Sequence, residues 1–291
     1  MVKIISDSTC DLSPELVNRY DIDILPLHIL LGEKEYKDGK NITPDEIFAW
    51  SDAHKTTPKT SAPSLVDAIK ILKPYVEEKR EVICFSISSS MSTSGNVMRL
   101  AADELEASDL VTVIDSANLS TGIGLQVVEA AVMAQAGKSA AEIKKILTDQ
   151  KLDSSIYITL DTLKYLKKGG RITPAAAAIG TVLNLKPVLQ IQGEKLDAYA
   201  KVRGKKQAKR VMMKAMQEDW DTRFKKYVES GEMCLQIAYA GNKEEAEEFK
   251  KEVQAAFPGM DIHMDPLSLS VACHIGHGAI AVACSRKVVV E

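Results

Sequence analysis

The chain has 291 residues, of which 45% are apolar and 26% charged, the profile of an ordinary globular protein long enough for two domains with sizeable cores. A net charge of -3 and an aromatic content of 5% argue against a nucleic-acid surface, which would present a basic stripe with stacking platforms. No run approaches the ~18 apolar residues of a membrane span, and charge enters at Lys3 and Asp7, too early for a signal peptide, so a cytoplasmic location is expected.

In chain order, Val2 to Ser6 reads as a short strand and Asp7-Ser8-Thr9-Cys10-Asp11 as a polar turn. Ser13-Pro14 then opens a helix as N-cap and first helical position. Ile22 to Leu31 is extended, and Glu33 to Gly39 alternates and turns like an edge strand. Thr43-Pro44-Asp45-Glu46 is a capping box for a short helix, and a loop over 56–63 precedes a helix from Ser64 to about Lys79. Pro63 keeps the residues before it out of helical geometry, so Thr60 and Ser61 project hydroxyls from a stiff loop. Glu81 to Phe85 is a buried strand, and a helix with apolar positions at Val97, Leu100, Ala101 and Leu105 follows. Between them runs Ser86-Ile87-Ser88-Ser89-Ser90-Met91-Ser92-Thr93-Ser94. Hydroxyls at a strand-to-helix junction suit a carboxylate or phosphate, because the helix start offers free N–H groups there. A helix N-cap by Ser92 or Ser94 is the plainer reading. Leu110 to Asp115 is a further strand, and Gly122 and Gly124 fall inside the helix after it, as in close packing rather than a dinucleotide fingerprint. Ser139-Ala140-Ala141-Glu142 caps another helix. This alternation of strand and helix predicts a doubly wound, mostly parallel sheet in domain 1-152.

The second half, 153-291, changes to a mixed α/β order with an antiparallel component. Ile156 to Leu160 is a strand, Asp161 caps a short helix through Leu166, and Lys167-Lys168-Gly169-Gly170-Arg171 ends it, placing Arg171 on a tight turn where it can face an anion. Thr173-Pro174 opens an alanine-rich helix over Ala175 to Ala178. Pro187 to Ile191 and Lys195 to Val202, joined at Gly193-Glu194, read as a hairpin. A charged helix from about Lys205 to Ser230, a strand Met233 to Tyr239 and a helix Lys243 to Ala256 follow. The end reads as two strands, Asp261 to Asp265 and Gly278 to Cys284, around Cys273-His274-Ile275-Gly276-His277-Gly278. His274 beside glycines suits a ligand-facing imidazole, although a lone histidine in apolar surroundings also reads as structural. His274 and His277 lack the neighbouring Cys, Asp or Glu that would complete a metal shell, and Cys10, Cys84, Cys234, Cys273 and Cys284 show no C-x-x-C spacing, so no metal and reduced core thiols are expected. Neither a G-x-S-x-G elbow nor a G-x-x-x-x-G-K-[ST] loop is present. The residues offer anion donors without an evident catalytic machine.

Taken together, Asp7-Ser8-Thr9-Cys10-Asp11-Leu12, Thr60-Ser61-Ala62-Pro63-Ser64, Ile87-Ser88-Ser89 with Met91-Ser92, Asp115-Ser116, Leu163 to Ile172, Lys186-Pro187-Val188-Leu189 and His274-x-Gly276-x-Gly278 resemble the DegV family of fatty-acid-binding proteins. The most specific piece is Leu-x-Lys-Lys-Gly-Gly-Arg-Ile, which ends at Ile172. The resemblance implies a two-domain α/β fold with a ligand tunnel between the domains. It further implies that a long-chain fatty acid is held by its carboxylate at Thr60, Ser61, Ser92 and His274 with Arg171 nearby, and that the chain is a carrier presenting it to an ATP-binding fatty acid kinase subunit, with no cofactor and at most transient membrane contact. The family usually has Ser-Gly-Thr where this chain has Ser92-Thr93-Ser94, and proline at His277, which makes Thr93, Ser94 and His277 secondary candidates. The alternative is a stand-alone phosphotransferase or hydrolase that uses His274.

Overall fold

The computed structural model describes residues 1–177, 185–192 and 196–288. Ala178 of the alanine-rich helix, the Gly193-Glu194 junction and Lys195 lie outside them. The first seven strands are β1 (Lys3–Asp7), β2 (Ile22–Leu25), β3 (His28–Leu31), β4 (Lys34–Lys37), β5 (Lys59–Ser61), β6 (Val82–Ser86) and β7 (Val111–Asp115). Among the described residues that follow are β8 (Ser154–Thr159), β9 (Leu185–Ile191), β10 (Asp197–Arg203), β11 (Met233–Ala240), β12 (Ile262–Pro266) and β13 (Ala279–Arg286). Strands β2-β1-β6-β7 make a parallel sheet, β4-β3-β5 a small antiparallel one, and β10-β9-β8-β13-β11-β12 a larger sheet that is antiparallel except for the β11–β12 pair. This is a two-unit α/β architecture with one parallel and one mixed sheet.

Two-residue alternation decides what each sheet buries. In the parallel sheet Ile5, Val82 and Cys84 point to the outer helices Leu65–Glu77 and Ser94–Glu104, whereas Ile4, Ile83 and Phe85 point inward. In the mixed sheet Tyr157, Val188, Ile237 and Val282 pack under the helices Lys205–Asp221 and Lys243–Ala256. Their neighbours Ile156, Ile158, Leu189, Ala238 and Ala281 belong to the same inward core as Ile4 and Phe85. One continuous core therefore fills the seam between the units. On β11 and β13 that face carries Ala238, Ala240, Ala279, Ala281 and Ala283, and Ala238 and Ala281 line a small open space beside the sheet. The helix Thr121–Gln135 lies in the seam, where Gly124 lets it approach closely: a Cβ there would sit 2.5 Å from the Cys10 carbonyl oxygen.

Several expectations are corrected by longer-range contacts. The extended run 22–31 breaks at Pro26 into β2 and β3, which belong to different sheets, and the expected loop around Thr60 is the edge strand β5. Neither Ser92 nor Ser94 is the N-cap of Ser94–Glu104; Thr93 occupies that position without a side-chain cap, and the Ser92 hydroxyl accepts the Ser94 N–H at 3.2 Å. Asp161 does not cap the next helix, which runs over Lys164–Gly169; it accepts Lys186 Nζ at 2.7 Å, and Thr162 Oγ1 receives the Lys164 N–H. The long charged helix is broken at Thr222 into Lys205–Asp221 and Lys225–Glu229. Finally, residues 269–275 are helical rather than a loop between strands. All five cysteines are free and buried, and no helix among the described residues is long and apolar enough to cross a membrane.

Candidate functional site

The carboxyl end of β1 is fixed by Asp7. Its buried carboxylate accepts the Thr9 N–H at 3.1 Å and the Thr9 hydroxyl, and it takes the Ile87 N–H at 2.9 Å, joining the turns that follow β1 and β6. The β6 turn closes on itself through Met91 N and Ser92 N, both bonded to the Ser88 carbonyl, while Ser88 and Ser90 pair their hydroxyls at 2.9 Å. Most of the serine run is thus spent on the turn. Ser92 alone of that run reaches the cavity beside it, together with the apolar Ile87 and Met91.

Opposite stands β5, paired with β3 so that Thr60 faces Ile29 in register. Thr60 Oγ1 lies 2.7 Å from His274 Nε2, a contact between residues 214 positions apart. His274 is in the last turn of the helix Leu269–Ile275, and Gly276 at φ +81° stops that helix directly under the Tyr165 ring. The imidazole is wedged from its other side by Gly169, where a Cβ would come within 2.3 Å of Nδ1. Gly170 caps the helix Lys164–Gly169 in the left-handed region and turns Arg171 inward. Arg171 Nε donates to the Met91 carbonyl at 3.2 Å and Nη1 to the Gly169 carbonyl, so this side chain also bridges the two units.

Burial, reinforced by the Arg171 charge, pushes the His274 value down to about 4, so its imidazole is neutral near pH 7. A neutral ring can donate from Nε2 to Thr60 Oγ1, which frees the Thr60 hydroxyl proton for an anion; the opposite tautomer reverses the direction. Thr60, Ser61, Ser92, Arg171 and His274 all line one cavity of about 530 Å³, measured with its opening to solvent. Beside it lies a second, smaller space, about 300 Å³ when measured in the same way with its opening to solvent, that shares Leu119, Leu196 and Ile275 with the first and is floored by Ile156, Ile158, Ala238 and Ala281 of the mixed sheet. A polar mouth therefore shares a wall with an apolar space, an arrangement that suits an amphiphile with one anionic end.

The other candidates are placed elsewhere. Thr93 is exposed, Ser94 is buried under the β6 turn near Asp7, and His277 lies outside the cavity with its ring against Phe48, centroids 3.4 Å apart. Two hydroxyls were missed. Thr9 lines the cavity from the turn after β1, and Ser270 from one helical turn before His274. The Ser270/His274 and Val271/Ile275 pairs are spaced i,i+4, a signal that reading the segment as helix would have exposed. Among the described residues no group of three or more His, Cys, Asp or Glu side chains is placed to hold a metal ion.

Burial also sets a pH dependence of stability. Asp11 is pushed up to about 7 from 3.8 and Glu129 to about 8 from 4.5, both by desolvation. An acid whose folded value is raised contributes stability that is present below its unfolded value and lost as pH rises through the folded one. His274, held down from 6.5 to about 4, acts in the reverse sense, its stability being lost as pH falls through that window. The two effects oppose each other below pH 6.5, and only the acids act above it. The melting temperature is therefore expected to fall between about pH 6.5 and 8, with up to about 1.4 kcal/mol per pH unit for an acid until its folded value is reached, near 7 for Asp11 and near 8 for Glu129. Scanning calorimetry of the wild type and Glu129→Gln checks this, the variant having the flatter slope between pH 6.5 and 8.

Comparison with known proteins identifies the family and the fold. The model of the DegV family of uncharacterised proteins matches residues 1–287. A DegV domain-containing protein from Deinococcus radiodurans is 31% identical over 285 residues, covering 97% of each chain. The crystal structure of a fatty acid (stearic acid)-binding protein from Eubacterium ventriosum superposes with a TM-score of 0.89 at 30% identity over 99% of both chains. A fatty-acid-binding DegV family protein from Thermus thermophilus gives 0.86 at 29% identity, covering 98% of this chain and 99% of its own. With the matched model spanning nearly its whole length, the chain belongs to the DegV family.

Proposed function

We propose that this protein binds a long-chain fatty acid, acyl tail in the apolar chamber and carboxylate at the mouth, and presents it to an ATP-binding fatty acid kinase subunit. The observation that carries the reading is the convergence of Thr60, Ser61, Ser92, Arg171 and a neutral His274 at the entrance of a cavity that turns apolar behind them. Each methylene withdrawn from water contributes roughly 0.8 kcal/mol, so affinity resides in the tail, while the donors offset the desolvation of the head group. Stearic acid binding by the Eubacterium relative supports the same class of ligand. Residues 1–152 and 153–291 serve as the two units of this carrier, which acts in the cytoplasm and needs no cofactor.

A carboxylate held at the mouth is accessible to a partner, and Arg171 would steady the charge that develops as a phosphoryl group is transferred to it. The stand-alone enzyme reading lacks support from the imidazole: its Nδ1 is pressed against Gly169, and among the described residues no carboxylate orients it. Incubation with ATP, magnesium and labelled palmitate tests the carrier role. Acyl phosphate should form only when a purified bacterial fatty acid kinase ATP-binding subunit is added, and turnover by this chain alone would reject the proposal.

A further inference from the structure

The helix Leu269–Ile275 supplies four lining residues of the cavity, Ser270, Val271, His274 and Ile275, yet nothing local caps it. Ser268 occupies the N-cap position without a side-chain bond. The first amides are instead taken by two buried carboxylates from the other end of the chain. Asp11 Oδ1 accepts the Ser268 N–H at 2.7 Å. Asp38 accepts Leu269 N at 3.0 Å, Ser270 N at 3.2 Å and the Ser270 hydroxyl at 2.5 Å, and the Ser8 hydroxyl at 2.8 Å completes its shell. Asp38 is only 4% exposed. Burying a carboxylate is costly; these neutral donors offset part of that cost, while desolvation still pushes the Asp38 value up.

Where Asp38 sits explains why a remote group does what Ser268 could do locally. Asp38 follows β4 directly, and its own N–H bonds the Leu27 carbonyl just ahead of β3. Strand β3 pairs with β4 on one side and with β5, which carries Thr60, on the other. The small sheet therefore grips the helix at both ends: Asp38 holds its first turn and Thr60 meets His274 in its last. A local cap would end the helix without fixing it to that sheet.

We propose that Asp38 is a positioning residue for the head-group site, setting the height and rotation of the helix Leu269–Ile275 on the β4-β3-β5 sheet so that His274 is delivered to Thr60. The inference deepens the fatty-acid reading and rests on it for the head group, although the His274–Thr60 geometry can be tested without ligand. Asp38→Ala removes every acceptor, whereas Asp38→Asn keeps one oxygen for one amide and serves as the partial rescue should the alanine variant fail to fold. In protein loaded with [1-13C]palmitate, the wild type should give one sharp carboxyl resonance displaced from that of free palmitate. Asp38→Ala should bring that resonance toward the free position and broaden it while the tail stays bound, with Asp38→Asn between the two.

In ligand-free protein with 15N-labelled histidine, the His274 ring should titrate near 4 in the wild type and move toward the ordinary 6.5 in Asp38→Ala. A merely structural role would lower the melting temperature and leave both signals of the folded protein where they are. Unchanged carboxyl and imidazole signals in folded variants overturn the proposal. Should the wild type take up no palmitate, the fatty-acid reading falls while the ring titration still decides the role of Asp38.

Discussion

Ala281→Phe is expected to weaken binding of a C16 to C18 fatty acid by more than about 100-fold. Ala281 is buried on the inward face of β13, opposite Ala238 in the β11 ladder and Ile158 in the β8 ladder, and all three floor the inner chamber. A phenyl ring there occupies space that the distal methylenes would otherwise fill. Excluding about four of them at roughly 0.8 kcal/mol each removes about 3 kcal/mol, which is more than two decades in the dissociation constant. Steric exclusion leaves a signature that general damage does not. Shorter acyl chains should lose less than longer ones, and Ala281→Leu should fall between the wild type and Ala281→Phe. Titration of delipidated protein with laurate, myristate, palmitate and stearate reads this out, and thermal melts separate it from overpacking, which costs typically 1–3 kcal/mol. Equal losses for all chain lengths would place the tail elsewhere.

Gly169→Ala attacks the other end of the site, with an expected affinity loss on the order of 30-fold. Gly169 is the last residue of its helix, so alanine is acceptable to the backbone and by propensity favourable by about 0.5–1 kcal/mol. The added methyl, however, would sit 2.3 Å from His274 Nδ1 and must drive the ring away. A displaced ring loses Thr60, and Thr60 loses the partner that orients its hydroxyl. Two head-group hydrogen bonds at about 1 kcal/mol each account for the estimate. Melting within a few degrees of wild type combined with the affinity loss identifies displacement of His274. Unaltered affinity would mean that the His274–Thr60 pair does not hold the head group.

The Gly-Gly pair of the Leu-x-Lys-Lys-Gly-Gly-Arg-Ile segment has a physical basis here. Gly170 supplies the left-handed turn before Arg171, and Gly169 supplies the absence of a side chain beside an imidazole that arrives from more than a hundred residues away. Only the first of these roles leaves a local trace in the sequence.

That distinction runs through the whole molecule. The parallel sheet was legible because its strands alternate with helices that announce themselves, as the capping boxes at Thr43/Glu46 and Ser139/Glu142 do; both are formed. The residues that the resemblance singles out, Thr60, Ser61, Ser92, Arg171 and His274, line one cavity. What stayed hidden depends on long-range partners. The helix 269–275 is short, contains weak helix formers such as Val271 and Cys273, and takes its cap from Asp11 and Asp38, so no local start signal exists. Without that helix, Ser270 could not be seen to share a face with His274. The chamber was hidden for a related reason: alanines on β11 and β13 signify space only once the opposing wall is known.

Mass spectrometry of an organic extract from purified, denatured protein, set against a mock purification, shows whether the protein carries a fatty acid. A near-stoichiometric C14 to C18 fatty acid is the predicted result, and its absence from the Ala281→Phe extract would tie it to the chamber. An extract without fatty acid, followed by no uptake when palmitate or stearate is offered to the folded protein, would mean that the cavity does not hold an acyl chain.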